Sequence, residues 1–271
     1  MGLSTVSVYT ADQQDPMGER TLVASGSRIP MRRKLLNLAT LLLGIVAAIT
    51  RRPVTVRYGE TPAFGTVTFS GASGTVGCTL NGVALTFAHG ASDQADSNTM
   101  VTTINASANA LVVDLVKASN YAGTLTLVSC AAGTKLLIAG VVMTAMQSTS
   151  SPPPSGEFSI AGNDNADATA LAAAINAHSL LREKVVATAA TNVVTVRALD
   201  AAPTDLSLQV LSGSGATASS GSVLAPVTTV CISSLWKGTV GNCLTLAASG
   251  TGVTASGARL TGGTLGNVVT I

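Results

Sequence analysis

Two pairs of aspartates have the residue type and spacing best suited to chemistry in this chain. Asp93 and Asp96 stand three positions apart, and Asp164 and Asp167 repeat that spacing farther along. Paired carboxylates can bind calcium or transfer protons. The same spacing also suits a turn followed by a helix start, where a carboxylate accepts hydrogen bonds from free backbone N–H groups. Because neither pair stands in the ligand pattern of an EF-hand, we predict that Asp96 and Asp167 are helix caps and neither metal ligands nor catalysts.

The other reactive side chains form no recognisable site. His89 and His178 are the two histidines, and neither has the serine, cysteine or aspartate partners of a catalytic triad at a familiar spacing. The glycine-rich stretches match neither a nucleophile elbow nor a phosphate-binding loop. The sequence therefore predicts no catalytic residue, no metal and no cofactor, and we do not expect an enzyme.

The four cysteines leave two interpretations open. None belongs to a C-x-x-C pair and no histidine is adjacent, so a zinc site is not predicted. They are either buried thiols within sheets or partners in disulfides that bridge strands or subunits once the protein leaves a reducing cytoplasm. The residues concerned are Cys78, Cys130, Cys231 and Cys243.

Both aspartate pairs lie within an internal repeat. A gapless shift of 71 positions (175 − 104 = 71) places the tripeptide Ile-Asn-Ala at 104–106 on the same tripeptide at 175–177. The same shift superposes the two aspartate pairs and places Phe87 on Phe158. Self-similarity without a gap predicts one duplicated module.

Each copy of the module has the pattern of a β-α-β-β unit. A strand ends at the shared phenylalanine, a helix is predicted over residues 97–106 or 168–177, and two Val- and Thr-rich strands follow. Asn81-Gly82, between two alternating runs, predicts a β-hairpin. One helix covers one face of its sheet, so the other face needs the sister module or another subunit. We predict a strand-dominated α+β fold made of two duplicated modules plus an N-terminal arm with an apolar segment.

The N-terminal region has a different character from the modules. Residues 1–30 are polar and aperiodic, so alone they are expected to form a flexible arm. Residues 35–49 form an apolar run with basic flanks that is shorter than the roughly 20 residues of a membrane-spanning helix. We therefore expect residues 1–53 to be ordered by contacts in an assembly, and membrane contact is not favoured. With a proline-rich linker at 148–156, the predicted divisions are an assembly arm at 1–60, module 1 at 61–150, and module 2 with C-terminal strands at 151–271.

Composition limits the classes of partner. Charged residues make up 10% of the chain and the net charge is only +2, which argues against binding to nucleic acid. Aromatic residues are only 3%, so one subunit has few large side chains with which to build a deep core. Burial of surface against copies of the same chain would compensate, and we expect a homo-oligomer.

The second module and the segment after it resemble the tail sheath and sheath-like collar or neck proteins of contractile-tailed bacteriophages. The resemblance is carried by "ATALAAAINAHSLLREKVVATAATNVVTV" at 168–196 and by "KGTVGNCLTLAASGTGVTASGARLTGGT" at 237–264. It implies a structural virion protein, assembled in the host cytoplasm, that contacts its own copies and other tail or neck proteins in a ring or sheath-like layer. The alternative is a secreted or cell-surface β-rich adhesin, because a duplicated Thr/Ser/Gly-rich module is also at home there.

Overall fold

The computed structural model describes residues 7–11, 20–25, 54–58, 60–147, 155–200, 205, 207–219, 222–265 and 267–270. Strands predominate in this part of the chain and helices are few, which confirms the predicted α+β class. The chain divides into two compact units. One unit is Met1–Thr61 with Thr264–Ile271, and the other is Pro62–Gly263.

The first unit contains an antiparallel sheet of four strands in the order β17-β3-β1-β2. These are β1 (Ser7–Ala11), β2 (Arg20–Ser25), β3 (Val54–Tyr58) and β17 (Asn267–Thr270). Residues 7–11 and 20–25, which are predicted to be flexible when alone, form β1 and β2 in this sheet, where β1 also pairs with β3. Pairing with each other and with β3 satisfies backbone groups that a flexible arm would leave to water. The apolar run 35–49 and residues 148–154 of the predicted linker lie outside the described residues.

The described residues of the second unit form two sheets and three α-helices. The helices are α1 (Asp93–Asn105), α2 (Ala110–Val113) and α3 (Asp164–Ala177), and a 3-10 turn spans Thr239–Cys243. The strands are β4 (Pro62–Leu80), β5 (Val83–Ala88), β6 (Val116–Leu127), β7 (Lys135–Ile138), β8 (Val141–Met146), β9 (Glu157–Ser159), β10 (Val185–Ala190), β11 (Val193–Ala198), β12 (Ser207–Ser212), β13 (Ala216–Ala218), β14 (Ser222–Val223), β15 (Ala225–Lys237) and β16 (Leu246–Ala255).

The larger sheet has eight strands and the smaller sheet five. The larger follows the order β10-β11-β6-β15-β4-β16, with β5 paired to β4 and β13 paired to β6. The smaller follows the order β14-β12-β7-β8-β9. The β8–β9 pair is parallel and the other pairs are antiparallel, so short turns suffice for most neighbours along the chain.

The predicted hairpin at Asn81-Gly82 is confirmed. Leu80 pairs with Val83, which leaves Asn81 and Gly82 as a two-residue turn between β4 and β5. Both turn residues have positive φ, 49° and 78°. A type I′ turn needs positive φ at both central positions, and asparagine followed by glycine tolerates this best.

Both copies of the repeat share the order strand, helix, strand, as β5-α1-β6 with the short helix α2 after α1 and as β9-α3-β10, but the predicted fourth element is not shared, because β7 lies in the other sheet from β11. The boundaries differ from those predicted in the first copy. Its residues 110–113 are helical, and one long strand, β6, occupies the place of two predicted strands. The shift of 71 maps β6 onto the hairpin β10–β11, so one copy bends where the other continues straight.

Among its described residues, the second unit has two large apolar cores and one small cluster around Cys231, and β6 contributes to both large cores. Val116 and Ala118 of β6 pack with α1 in the first core, whereas Leu125 and Leu127 pack with α3 in the second. These cores do not follow the predicted boundary at residue 150. Strands β7 and β8, from predicted module 1, pack in the second core, whereas Val230 and Ile232 of β15, together with β16, from predicted module 2, pack in the first. Strands β15 and β16 pack in the first core because both pair with β4, which is distant in sequence.

Candidate functional site

The two helix starts bring the predicted aspartates together with their neighbours, but the caps are other residues. The N-cap of α1 is Ser92, whose hydroxyl accepts from the backbone N–H of Ala95 at 3.2 Å. The N-cap of α3 is Asn163, whose carboxamide oxygen accepts from the N–H of Ala166 at 3.0 Å. The prediction that Asp96 and Asp167 are the N-caps is therefore wrong. Both helices begin four residues earlier than predicted, because an extended polar residue already stands there to accept the first free N–H group.

Asp96 and Asp167 lie within the helices and bind the chain that enters them. The Asp96 carboxylate is fully buried and accepts from the N–H of Gly90 at 2.8 Å. Asp167, 5% exposed, accepts from the N–H of Gly162 at 3.1 Å. Burial raises the pKa of Asp167 above its ordinary value, and the Gly162 bond only partly opposes this. Each carboxylate thus fixes the angle at which the preceding loop joins the helix.

The first aspartate of each pair binds a turn of the sheet. Both oxygens of Asp93 accept from backbone N–H groups, one from Gly71 at 2.8 Å and one from Ala72 at 2.9 Å. These bonds, that of Ala72 first, lower the pKa of Asp93. In the second copy, Asp164 accepts from the N–H of Ser129 at 2.7 Å. The first residue of each helix is therefore bonded to backbone distant in sequence, in the middle of β4 for Asp93 and just after the end of β6 for Asp164.

His89 adds a second partner to Asp96 alone. Its Nδ1 atom lies 2.6 Å from Oδ2 of Asp96, and 28% of its side chain is exposed. A histidine bonded to a buried carboxylate corresponds to two of the three members of a catalytic triad, in which the Nε2 atom of the histidine exchanges a proton with the nucleophile. Within the described part of the chain, Nε2 makes no hydrogen bond, and no group of three His, Cys, Asp or Glu side chains is placed to hold a metal ion. In the described residues, this pair connects the loop before α1 to the first turn of the helix.

The helix ends carry a second repeated contact, which the sequence analysis missed. The carboxamide of Asn105 donates to the carbonyl of Ala118 and accepts from its N–H, both at 2.9 Å. Asn176 makes the same two bonds with Ala187, both at 2.8 Å. We call this double contact the edge clamp. The available signal was the asparagine shared by the two Ile-Asn-Ala tripeptides, which had been interpreted only as a helix end.

The four cysteines are free thiols in this structure, and the burial of three of them agrees with the interpretation as buried thiols. Cys78, Cys130 and Cys231 are buried, whereas Cys243 is exposed. Burial raises the pKa of Cys78 and of Cys231 to about 12, so both remain protonated and unreactive at neutral pH. The possibility of a disulfide between subunits stays a prediction, and Cys243 is the thiol that could form it without unfolding.

Comparison with known proteins assigns no function to the contacts at the two helix starts and the two helix ends. No family model, no curated protein and no solved structure matches the chain. Among the described residues, no helix has the length and apolar character needed to cross a lipid bilayer.

Proposed function

We propose that this chain is a structural protein of a tailed-phage virion, without enzymatic activity. In this role it forms a ring or sheath-like layer in the collar, neck or tail sheath through contacts with its own copies and with other tail or neck proteins. The resemblance of residues 168–196 and 237–264 to sheath-like proteins motivates the proposal. The geometry of the two helix–strand junctions supports it.

The observation that carries the proposal is the structural use of all four aspartates of the repeat. Asp93, Asp96, Asp164 and Asp167 each accept from a backbone N–H group elsewhere in the fold. A carboxylate engaged in this way holds chain segments together and has less freedom to bind a substrate or to transfer protons. The four aspartates of the repeat thus stabilise the fold, as expected of a structural protein that transmits force between neighbouring subunits.

An exposed apolar segment supports contact between subunits. Leu235 and Trp236, near the end of β15, are 45% and 50% exposed, and Val240 in the following 3-10 turn is 52% exposed. Trp236 is the only tryptophan of the chain. Scattered exposed apolar residues are normal, but neighbouring ones that include a tryptophan are typical of interfaces.

The proposal is tested by purifying the protein, imaging it by electron microscopy and analysing phage particles by mass spectrometry. We expect rings or helical stacks in the images and peptides of this chain in the virions. A protein that stays monomeric at all concentrations and is absent from virions would contradict the proposal. Peptides found instead on the surface of the producing cells would favour the adhesin.

A pair of variants links assembly to the exposed segment. Trp236→Ser should reduce assembly, because it removes the largest apolar side chain from the surface. Leu211→Ser is the matched control, since Leu211 is 47% exposed but lies on β12 of the other sheet. Equal assembly of both variants would exclude Trp236 from the interface without excluding assembly itself.

The cysteine prediction is tested on the same assemblies with non-reducing gels. A band of double mass that disappears in Cys243→Ser and persists in Cys78→Ser would establish a bond between subunits through Cys243. An unchanged monomer band would refute the disulfide while leaving the proposed assembly intact.

A further inference from the structure

The edge clamp of the second module lies at the end of the larger sheet. Among the described strands, β10 is the terminal one and pairs on one side only, with β11. A terminal strand presents a row of unpaired backbone N–H and C=O groups, to which another strand can add. The outer row of β10 therefore decides whether this sheet can accept a further strand.

The outer row of β10 is partly occupied from within the chain. Ala187 points its N–H and C=O outward, because both are bonded to the Asn176 side chain. Strand alternation places the backbone groups of Val185 and Ala189 in the same row. The N–H of Val185 donates to the carbonyl of Leu181 at 2.8 Å. Among the described residues, none forms a hydrogen bond with the outward groups of Ala189, which is itself exposed.

We propose that the Asn176 side chain closes a strand-accepting edge, and that the partner this edge fits is β10 of a second copy. The carboxamide of asparagine has the same donor and acceptor as a peptide group, so Asn176 occupies the place of one residue of an added strand. While it does so, an added strand has only Ala189 to pair with. Without it, the row from Ala187 to Ala189 becomes available.

The sequence of β10 suits pairing with itself. An antiparallel arrangement about a two-fold axis at Thr188 places Ala187 of each copy opposite Ala189 of the other. The strand is Val-Val-Ala-Thr-Ala-Ala, which has no charge to repel its copy and no proline to interrupt the ladder. Thr188 is exposed on the outer half of the strand, so the centre of this arrangement is accessible.

The first module provides an internal control. Asn105 makes the same clamp on Ala118 of β6, but β6 is not a terminal strand. It pairs with β15 on one side, and on the other with β11 from Ala122 onward. Removal of Asn105 therefore opens a gap beside a continuing strand, where a second copy has no free edge. The inference does not depend on the proposed function, because it concerns an edge of the folded chain in any setting.

The test uses the full chain carrying Cys243→Ser, which removes the exposed native thiol, and Thr188→Cys, which reports the proposed pairing. Asn176→Ala and Asn105→Ala are added separately, and folding is checked by circular dichroism. Under mild oxidation, we expect Asn176→Ala to form the disulfide-linked dimer. Its association constant should exceed those of the parent and of Asn105→Ala by about tenfold or more, since it gains backbone hydrogen bonds of about 1 kcal/mol each.

Two results would overturn the proposal. One is equal dimer in Asn176→Ala and Asn105→Ala, which would mean that loss of any clamp promotes association. The other is no gain of dimer in folded Asn176→Ala. Should that variant fail to fold, Asn176→Ser replaces it, because the side chain of serine is too short to occupy the place of a strand residue beside Ala187. An increase in dimer for Asn176→Ser over the parent is then expected, and no increase would refute the proposal.

Discussion

The two modules share their elements but differ in how each helix is held. In both, an aspartate at the helix start binds backbone that is distant in sequence, a second aspartate binds the incoming loop, and an asparagine at the helix end clamps a strand. These residues have the same identity in both copies. Each bonds to backbone, whose donors and acceptors do not depend on the neighbouring sequence. The comparison indicates that backbone contacts are what the duplication has retained.

The residues that differ are those that bond to side chains or to one module's own surroundings. Ser97 of α1 is fully buried, donates to the carbonyl of Val227 at 2.9 Å and accepts from Asn120 at 3.0 Å. The shift of 71 places Ala168 and Thr191 at the positions of Ser97 and Asn120. The first helix is thus fastened to β15 by a polar network, where the second helix packs a small apolar residue into its core.

The largest contrast is expected at the repeated phenylalanine. Phe158 is fully buried in the second core, whereas Phe87 is only partly buried and lies 6.3 Å from Phe69, centroid to centroid. Phe158→Ala should lower the free energy of unfolding by about 3–5 kcal/mol, and Phe87→Ala by about 1–2 kcal/mol. Urea denaturation of both variants measures the difference. Equal losses would contradict the described difference in burial between Phe158 and Phe87.

A smaller contrast is expected at the second aspartate of each pair. Asp96→Ala leaves both Gly90 and His89 without an acceptor and should cost about 2–3 kcal/mol, whereas Asp167→Ala leaves only the N–H of Gly162 and should cost about 1 kcal/mol. The comparison is made by thermal and chemical denaturation at neutral pH. A double variant, Asp96→Ala with His89→Ala, should recover part of the loss, because it removes the unpaired histidine. Failure to recover would show that the His89 contact contributes nothing.

The N-caps should be equivalent. Ser92→Ala and Asn163→Ala each remove one acceptor for a free backbone N–H at a helix start, with an expected cost of about 1 kcal/mol. Substitution by glycine at either position should cost only a few tenths of that unit, about 0.3 kcal/mol, because glycine leaves the N–H accessible to water. An alanine variant as stable as the wild type would show that its side chain does not cap the helix.

The smallest contrast concerns pH, where Asp93 and Asp167 should respond in opposite directions. The lowered pKa of Asp93 stabilises the folded state above the unfolded value of 3.8, and this contribution is lost as the pH falls through the folded pKa. The raised pKa of Asp167 makes its contribution fully present below 3.8 and lost as the pH rises through the folded pKa.

Two conservative variants separate these directions. As the pH rises through the acidic range, Asp93→Asn should lose free energy of unfolding relative to the wild type, and Asp167→Asn should gain it. Denaturant titrations at a series of pH values give the slopes, which do not depend on any constant offset from the substitution. Slopes of the same sign for both variants would contradict the assigned pKa shifts.

Local signals made part of this molecule predictable from sequence. The Asn81-Gly82 hairpin depends on two adjacent residues, and the core-facing residues of the helices, such as Ile104 and Ile175, follow from helical periodicity. The helix starts were misplaced because Ser92, Asn163 and the aspartates are all good caps, and only the backbone geometry selects among them.

The long-range arrangement could not be read from the sequence. Each clamp joins two residues that are close in sequence. Whether the clamped strand lies at the edge of its sheet, however, depends on which distant strands pair with it. The exchange of β7, β8, β15 and β16 between the cores depends on strand pairs more than a hundred residues apart, such as Val67 with Val230. A single sequence has no periodicity that reports such pairs.

The passage of β6 through both cores has a consequence for how the protein melts. A strand alternates its side chains between two faces, so a slip of one residue would turn Val116 and Ala118 out of the first core and, at the same moment, Leu125 and Leu127 out of the second. A shift of this strand in one core therefore also displaces its side chains in the other core. The two modules are therefore expected to unfold together. Calorimetry of Pro62–Gly263 should record one cooperative transition with equal calorimetric and van't Hoff enthalpies. Two modules that unfold independently would give two transitions.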